Sequence, residues 1–259
     1  MKWGRLYAPD YVNVLHRACR EAACKPFRFV CLTDDPTGLD PAVEALPMPD
    51  IGLTAEEWAL PGIWPKLAIY LPDLHGLRGR CLFIDLDTVV LRGLDDFFSF
   101  GSGLVATDRG LWRTDRRLGT GLVATSVFAF DIGKERQILE RFLADRGAAI
   151  SGFRNEQDFV AAHASRVEFW PEDWVVSFKR RLRRPIGLDL LLPPRRPPES
   201  ARMVAFHGDP RPAALLRPGW GFWDRFPHMG HGQVKWMAEY WAAHGGRLPG
   251  INSGGKVLV

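Results

Sequence analysis

The chain has 259 residues and a mass of 29.2 kDa, with 46% hydrophobic and 25% charged residues. That composition excludes a disordered chain, a collagen-like fibre and a coiled coil, and a core of this size needs no disulfide framework or structural metal. Thirty-four Lys and Arg against 30 Asp and Glu leave +4, too mild a charge to name a partner, and a pI near 9.0 does not by itself argue for nucleic acid.

Taken in chain order, residues 11–24 place apolar side chains at helical spacing up to Pro26. Residues 27–32 form a short β-rich run closed by Thr33-Asp34-Asp35-Pro36, and 43–48 read as another strand. Residues 64–70 open a helix with Pro65 in its first turn. Residues 80–91 (RCLFIDLDTVVL) are nearly continuous apolar sequence broken by two carboxylates, the pattern of a strand buried on both faces. Strands follow at 103–106 and 126–130, helices at 134–145 and 155–163, and short strands at 167–170 and 204–206. This alternation predicts a single α/β domain with a mixed, mostly parallel central sheet flanked by helices.

Cys19, Cys24, Cys31 and Cys81 form no CxxC pair, and Cys31 and Cys81 sit in apolar runs. A reduced, cytoplasmic setting is expected. Residues 1–4 do not open a signal peptide, and no run of about 18 apolar residues predicts a membrane span. Residues 178–198 stand apart: Lys179, Arg180, Arg181, Arg183, Arg184, Arg195 and Arg196 accompany five prolines. Residues 245–259 hold five glycines and read as a poorly ordered tail.

The sharpest local feature is Asp85-Leu86-Asp87. On a continuous strand, carboxylates at i and i+2 point to one face, here near the carboxyl end where open α/β sheets bind ligands. Two carboxylates in apolar surroundings repel each other, and a divalent cation with a taste for hard oxygen ligands relieves that cost. The ordinary alternative is a turn-capping Asp beside a solvated one. Two enzyme classes carry such a strand: nucleotide-sugar glycosyltransferases, and haloacid-dehalogenase-like phosphatases with a nucleophilic Asp. The phosphatase strand usually opens its chain, whereas about eighty residues precede this one, and His207-Gly208-Asp209-Pro210 is not the later acidic pair expected there.

Lys2-Trp3-Gly4, Tyr11-Val12-Asn13, the segment from Phe27 to Pro36, Trp64-Pro65-Lys66-Leu67, Asp85-Leu86-Asp87, Glu156-Gln157-Asp158-Phe159, Phe169-Trp170-Pro171-Glu172, Trp174 and Phe206-His207-Gly208 occur in an order that resembles bacterial GT-A-type glycosyltransferases related to the family 8 retaining enzymes. The resemblance spans residues 1–215, with a donor-binding part over about 1–100 and an acceptor and metal part over 101–215; residues 216–259 form a Trp-rich segment and tail. It implies a GT-A-like, Rossmann-like fold and Mn²⁺ or Mg²⁺ held by Asp85, Asp87 and His207, with Asp85 also near the donor ribose. It implies donor contacts from Lys2, Trp3, Thr33, Asp34, Lys66 and Lys179. Gln157 would lie beneath the donor sugar, Glu156 would hold its hydroxyls, and Asp158 is a second candidate there.

For several of these the residues also allow plainer roles: a solvated lysine at 66, a turn histidine at 207, core packing of Trp3, and a helix cap at 155–158. Two features depart from the family pattern. The first strand is either very short at Lys2-Trp3-Gly4 or begins upstream, and Thr125-Ser126 stands where relatives carry a sugar-contacting Asn.

The implied reaction transfers a sugar from a nucleotide-diphosphate sugar to an unknown acceptor, saccharide, lipid-linked or protein, with retention. The alternatives are the phosphatase and a catalytically degenerate nucleotide-sugar-binding module. The basic stretch reads as a flap gripping diphosphate or an anionic acceptor, as a patch for the anionic inner face of a membrane, or as a solvated loop. It lacks the interleaved aromatics of a nucleic-acid binder. Of the ten Trp, Trp64, Trp170 and Trp174 fall beside proposed site segments, while Trp220, Trp223, Trp236 and Trp241 gather near the C-terminus.

Overall fold

The computed structural model describes residues 1–112, 121–219 and 221–248. Helix α1 (Pro9–Ala22) opens with a proline, whose missing N–H would have no partner in the first turn anyway. It buries a stripe that includes Val12, Leu15 and Cys19. Strands β1 (Val30–Thr33) and β2 (Glu44–Pro47) pair in parallel, and Lys2 adds one parallel bridge to Thr33. The short helix α2 (Ala55–Ala59) starts in a capping box between Thr54 and Glu57. Residues Trp64–Tyr70 form a 3₁₀ helix in which every side chain is buried.

The run at 80–91 is two strands rather than one. β3 (Arg80–Ile84) pairs antiparallel with β6 (Val123–Asp131), and β4 (Thr88–Val90) pairs antiparallel with β9 (Met203–Ala205) in a different sheet. Between them the chain turns, with Thr88 N–H donating to the Asp85 carbonyl at 3.1 Å. Asp85, Leu86 and Asp87 are therefore the crossing from one sheet to the next, and the same-face rule for a continuous strand does not apply to them. An apolar run cannot distinguish one buried strand from two successive ones, because both demand the same residues.

After α3 (Leu94–Ser99) and β5 (Leu104–Asp108), β6 returns antiparallel to β5. Helices α4 (Arg136–Ala144), α5 (Arg146–Gly152) and α6 (Glu156–His163) precede β7 (Val167–Phe169), which lies parallel to β5. β8 (Val175–Ser177) runs parallel to β9, and α7 (Lys235–Ala243) follows. The strand orders are β1-β2, β3-β6-β5-β7 and β4-β9-β8. The mixed α/β class holds, while the pairings divide evenly: β1·β2, β5·β7 and β8·β9 parallel, β3·β6, β5·β6 and β4·β9 antiparallel. The parallel share is smaller than expected because β6 pairs antiparallel with both its neighbours.

The four-stranded sheet explains its own apolar sequence. Along β5 and β6, Val105, Val127 and Ala129 face one core, shared with α1, β4 and β9. Leu104, Ala106, Phe128 and Phe130 face the other, shared with α4, α6 and the 64–70 helix. Both faces are covered, so both alternating sets are apolar. The C-terminal segment joins the first core through Trp223, Trp236 and Trp241, the last lying edge-on to Tyr11 at 5.1 Å. An apolar cavity of about 580 Å³ is lined by α1, β1 and β3, including Val12, Cys31 and Phe83. Among the described residues no helix is long and apolar enough to cross a membrane.

Candidate active site

At the carboxyl end of β3, the chain gathers a buried lysine and its acceptors. Lys66 is 4% exposed and donates to Asp85 Oδ1 at 2.9 Å and to the Thr125 carbonyl at 2.6 Å. It also lies 3.8 Å from Glu156 Oε1 and 4.4 Å from the centre of the Phe83 ring. Thr125, on β6, donates its hydroxyl to Glu156 Oε1 at 2.6 Å and its N–H to Gln157 Oε1 at 3.2 Å. The first turn of α6 is held there twice: Glu156 N–H donates to the Gly62 carbonyl at 2.9 Å, and the Asn155 side chain caps the helix by accepting from Asp158 N–H at 3.0 Å. Burial pushes the Glu156 carboxyl up from its ordinary value, against the opposing pull of Lys66. Its second oxygen, Oε2, is buried with no hydrogen-bond partner among the described residues. The network thus concentrates one cation, two carboxylates and a carboxamide at a sheet end.

Asp87 sits one step further on. Tyr7 donates its hydroxyl to Asp87 Oδ2 at 3.0 Å, and Phe206 N–H donates to the Asp87 carbonyl at 3.1 Å. Burial first, and then the neighbouring Asp85 charge, push the Asp87 carboxyl up to about 7. The β4–β9 register sets Thr88 opposite Ala205 and Phe206 against Asp87, so the segment leading into His207 runs along the crossing although 120 positions separate Asp87 and His207 in sequence. His207 shares a 2.6 Å hydrogen bond between its Nε2 and Ser177 Oγ, and its ring stacks on Trp112 at 4.9 Å. Burial, followed by the charges of Lys179, Arg180 and Arg183, lowers it to about 4, so the ring is neutral near pH 7. Among the described residues, no group of three His, Cys, Asp or Glu side chains stands ready to hold a metal ion.

The other expected residues fall into three places. Lys2 is buried, donates its ammonium to the Asp35 carbonyl at 3.2 Å, and through its N–H joins the Leu32 carbonyl at 2.8 Å. Thr33 closes a local turn with Asp35, and Asp34 accepts from Gly4 N–H at 2.8 Å. Trp3 lies edge-on to Trp58 at 6.1 Å. These four form one edge. Lys179 is half-buried near Gly208 and next to His207, and its ammonium is depressed by burial and by Arg183. Asp158 faces two arginines, Arg109 at 2.5 Å and Arg154 at 3.2 Å, and its main-chain N–H is the one that Asn155 caps.

The tryptophans beside the site segments pack inward. Trp64 is fully buried and stacked on Phe142 at 5.6 Å, while Trp170 and Trp174 lie against Phe97 and Phe100. Trp220 lies outside the described residues, as does the tail beyond 248. Sequence reasoning did not single out Thr125 as a bridge, nor Tyr7, Ser177 or Trp112 as partners. A hydroxyl-bearing residue has no distinctive spacing; Thr125 carried a weak signal as a polar residue ahead of the apolar run at 127–130.

No protein-family model matches the chain, and no curated protein does. Solved structures match well in shape. An active-site mutant of LgtC, with glutamine replaced by glutamate, aligns at a TM-score of 0.55 and 13% identity over 95% of this chain and 94% of that one. The galactosyltransferase LgtC in complex with donor and acceptor sugar analogues gives 0.53 and 12% over the same shares. The glycosyltransferase GlyE of Streptococcus pneumoniae TIGR4 gives 0.57 and 12% over 93% of this chain and 61% of that one. At such identities the likeness lies in the fold: this chain has the mixed α/β architecture of these glycosyltransferases.

Proposed function

We propose that the chain is a metal-dependent glycosyltransferase that moves a sugar from a nucleotide-diphosphate sugar to an acceptor, with retention at the transferred carbon. The observation that carries this reading is the buried junction of Lys66, Thr125, Asp85 and Glu156, which sets Gln157 and the Asp85–Asp87 crossing around one sheet end. That end is where α/β sheets bind nucleotides. Support also comes from the similar structures, one of which holds donor and acceptor sugar analogues and another a substituted active-site glutamine.

The residue types of the expected set suit a hard divalent cation, although the described residues do not gather them into a ready three-ligand site. Asp87 is a buried carboxylate that Asp85 pushes further from ionisation, and His207 is a neutral imidazole that adds no third negative charge. Held by Asp85, Asp87 and His207, Mn²⁺ or Mg²⁺ would supply positive charge to a departing diphosphate. Lys66 fixes Asp85 in place and keeps a second positive charge close by. Glu156 and Gln157, locked by Thr125, would present acceptor oxygens to sugar hydroxyls and to a positively charged sugar carbon. Lys2, Trp3, Thr33 and Asp34 would border the nucleotide, and Lys179 the diphosphate. The assignment to the cytoplasm belongs to the same reading, with all four cysteines free thiols.

A thermal-shift series with UDP and GDP, with and without Mn²⁺, tests it. Metal-dependent stabilisation by a nucleoside diphosphate is expected, weakened in both Asp87→Ala and His207→Ala. Absence of any such shift overturns the reading. An acid-labile phosphoenzyme at Asp85 would replace it with the phosphatase.

A further inference from the structure

Two segments of the basic C-terminal part carry exposed large apolar side chains. Ile186, Leu188, Leu190, Leu191 and Leu192 come from the first; Phe222 and Phe226 come from the second. Leu191 is 79% and Phe226 88% exposed, values that need a reason in side chains of this size. Local contacts hold the segments together as one surface. Asp189, itself 4% exposed, accepts from Met229 N–H at 2.9 Å and pairs with His228 Nδ1 at 3.2 Å. His231 Nε2 reaches the Leu190 carbonyl at 2.7 Å, and Arg183 forms a buried ion pair with Asp224 at 2.8 Å.

The charge around this surface is one-sided. Residues 178–232 contain eleven Lys and Arg against four Asp and Glu, whereas the remainder of the chain carries 23 against 26. Two of those four acids, Asp189 and Asp224, are buried in the contacts just described. Arg180, Arg195, Arg217 and Arg225 are exposed.

We propose that this apolar face, rimmed by arginines, docks onto an anionic lipid bilayer surface. Apolar side chains enter the boundary between headgroups and acyl chains, and the arginines meet the negative headgroups. The +7 of residues 178–232 in a chain of +4 overall matches a negatively charged surface, and the apolar side chains beside it suit the boundary between headgroups and acyl chains. The 178–182 turn joins this face to Lys179 and His207, so docking would bring the candidate active site close to the membrane plane. The inference does not need the sugar-transfer reading: vesicle binding requires no sugar or nucleotide.

Co-sedimentation of the full chain with vesicles tests it, comparing phosphatidylcholine alone with phosphatidylcholine containing phosphatidylglycerol. Binding to the anionic vesicles is expected, falling as salt is raised. The double variants Leu191→Ser/Phe226→Ser and Arg195→Glu/Arg196→Glu should each weaken it by on the order of tenfold or more. Both pairs are exposed, so melting temperatures should stay close to the parent chain. Equal binding to both vesicle types, no binding, or binding unchanged in both variants overturns the proposal. So does a stable dimer that dissociates in the Leu191→Ser/Phe226→Ser variant, since the face would then be covered by a second copy.

Discussion

The Tyr7 hydroxyl donates to Asp87 Oδ2 across 3.0 Å, joining the chain ahead of α1 to the crossing between two sheets. Such a bond favours the ionised carboxylate, whereas burial and Asp85 favour the neutral acid. Tyr7→Phe should therefore push the Asp87 carboxyl above about 7. The expected cost to stability is about 1–2 kcal/mol at pH 8, where Asp87 is ionised, and less at pH 5. Urea denaturation at both values measures it; an equal cost at the two would remove the role assigned to the hydroxyl.

Asp87 and His207 should tilt stability in opposite directions. Asp87 has a folded-state value of about 7 against an ordinary 3.8, so the folded state binds the extra proton. Its stabilising contribution is present below about pH 4 and is lost as pH rises towards 7. His207 is lowered to about 4 from 6.5, so its contribution is present above pH 6.5 and is lost as pH falls towards 4. Between those limits the two offset each other. Asp87→Asn should uncover the His207 slope, so that stability climbs between pH 4 and 6.5 by at most about 1.4 kcal/mol per unit. A variant whose pH profile runs parallel to the parent's would show that neither group is perturbed as described. Mn²⁺ should stabilise the parent more at pH 8 than at pH 5, because protonated Asp87 cannot ligate.

Lys66→Met should be costly. It leaves Glu156, 2% exposed, and Asp85, 35% exposed, without their shared cation, and strands the Thr125 carbonyl. Breaking a buried pair by removing one partner costs about 3–5 kcal/mol, and solvent reaching Asp85 lowers that to about 2–4 here. Lys66→Met with Glu156→Gln should recover part of the loss, since the orphaned buried charge is gone. No recovery in a double-mutant cycle would mean that Lys66 and Glu156 are not energetically joined.

How much of this was readable beforehand follows from what each residue type can signal. The carboxylates at 85 and 87, the lysine at 66 and the polar start of α6 stand out because charge is rare inside apolar sequence. The break between β3 and β4 did not, since Thr88 N–H and the Asp85 carbonyl make it with backbone atoms any residue has. Thr125 matters only because β6 carries it between Lys66 and Glu156, a long-range placement that no local spacing encodes. The three-residue strand β8 is too short for period-two alternation to register. Trp64 beside the site segment was misleading for the opposite reason: burial between Phe142 and Phe159 uses its size, and lies behind the residue that faces Asp85.

Gln157 and Asp158 are neighbours in one helical turn and should behave differently. Gln157 is placed by Thr125 N–H beside Glu156, within the proposed sugar site. Gln157→Ala should lower kcat for the transfer by about 100-fold with little change in donor KM, the pattern of an interaction made in the transition state. Asp158 is engaged by Arg109 and Arg154, and its charge favours the start of α6. Asp158→Asn should cost about 1 kcal/mol in stability and leave kcat within about twofold. Steady-state kinetics with denaturation curves for both variants decides between them. A large kcat loss in Asp158→Asn with normal stability would move the catalytic role from Gln157 to its neighbour, and with it the face on which the sugar must lie.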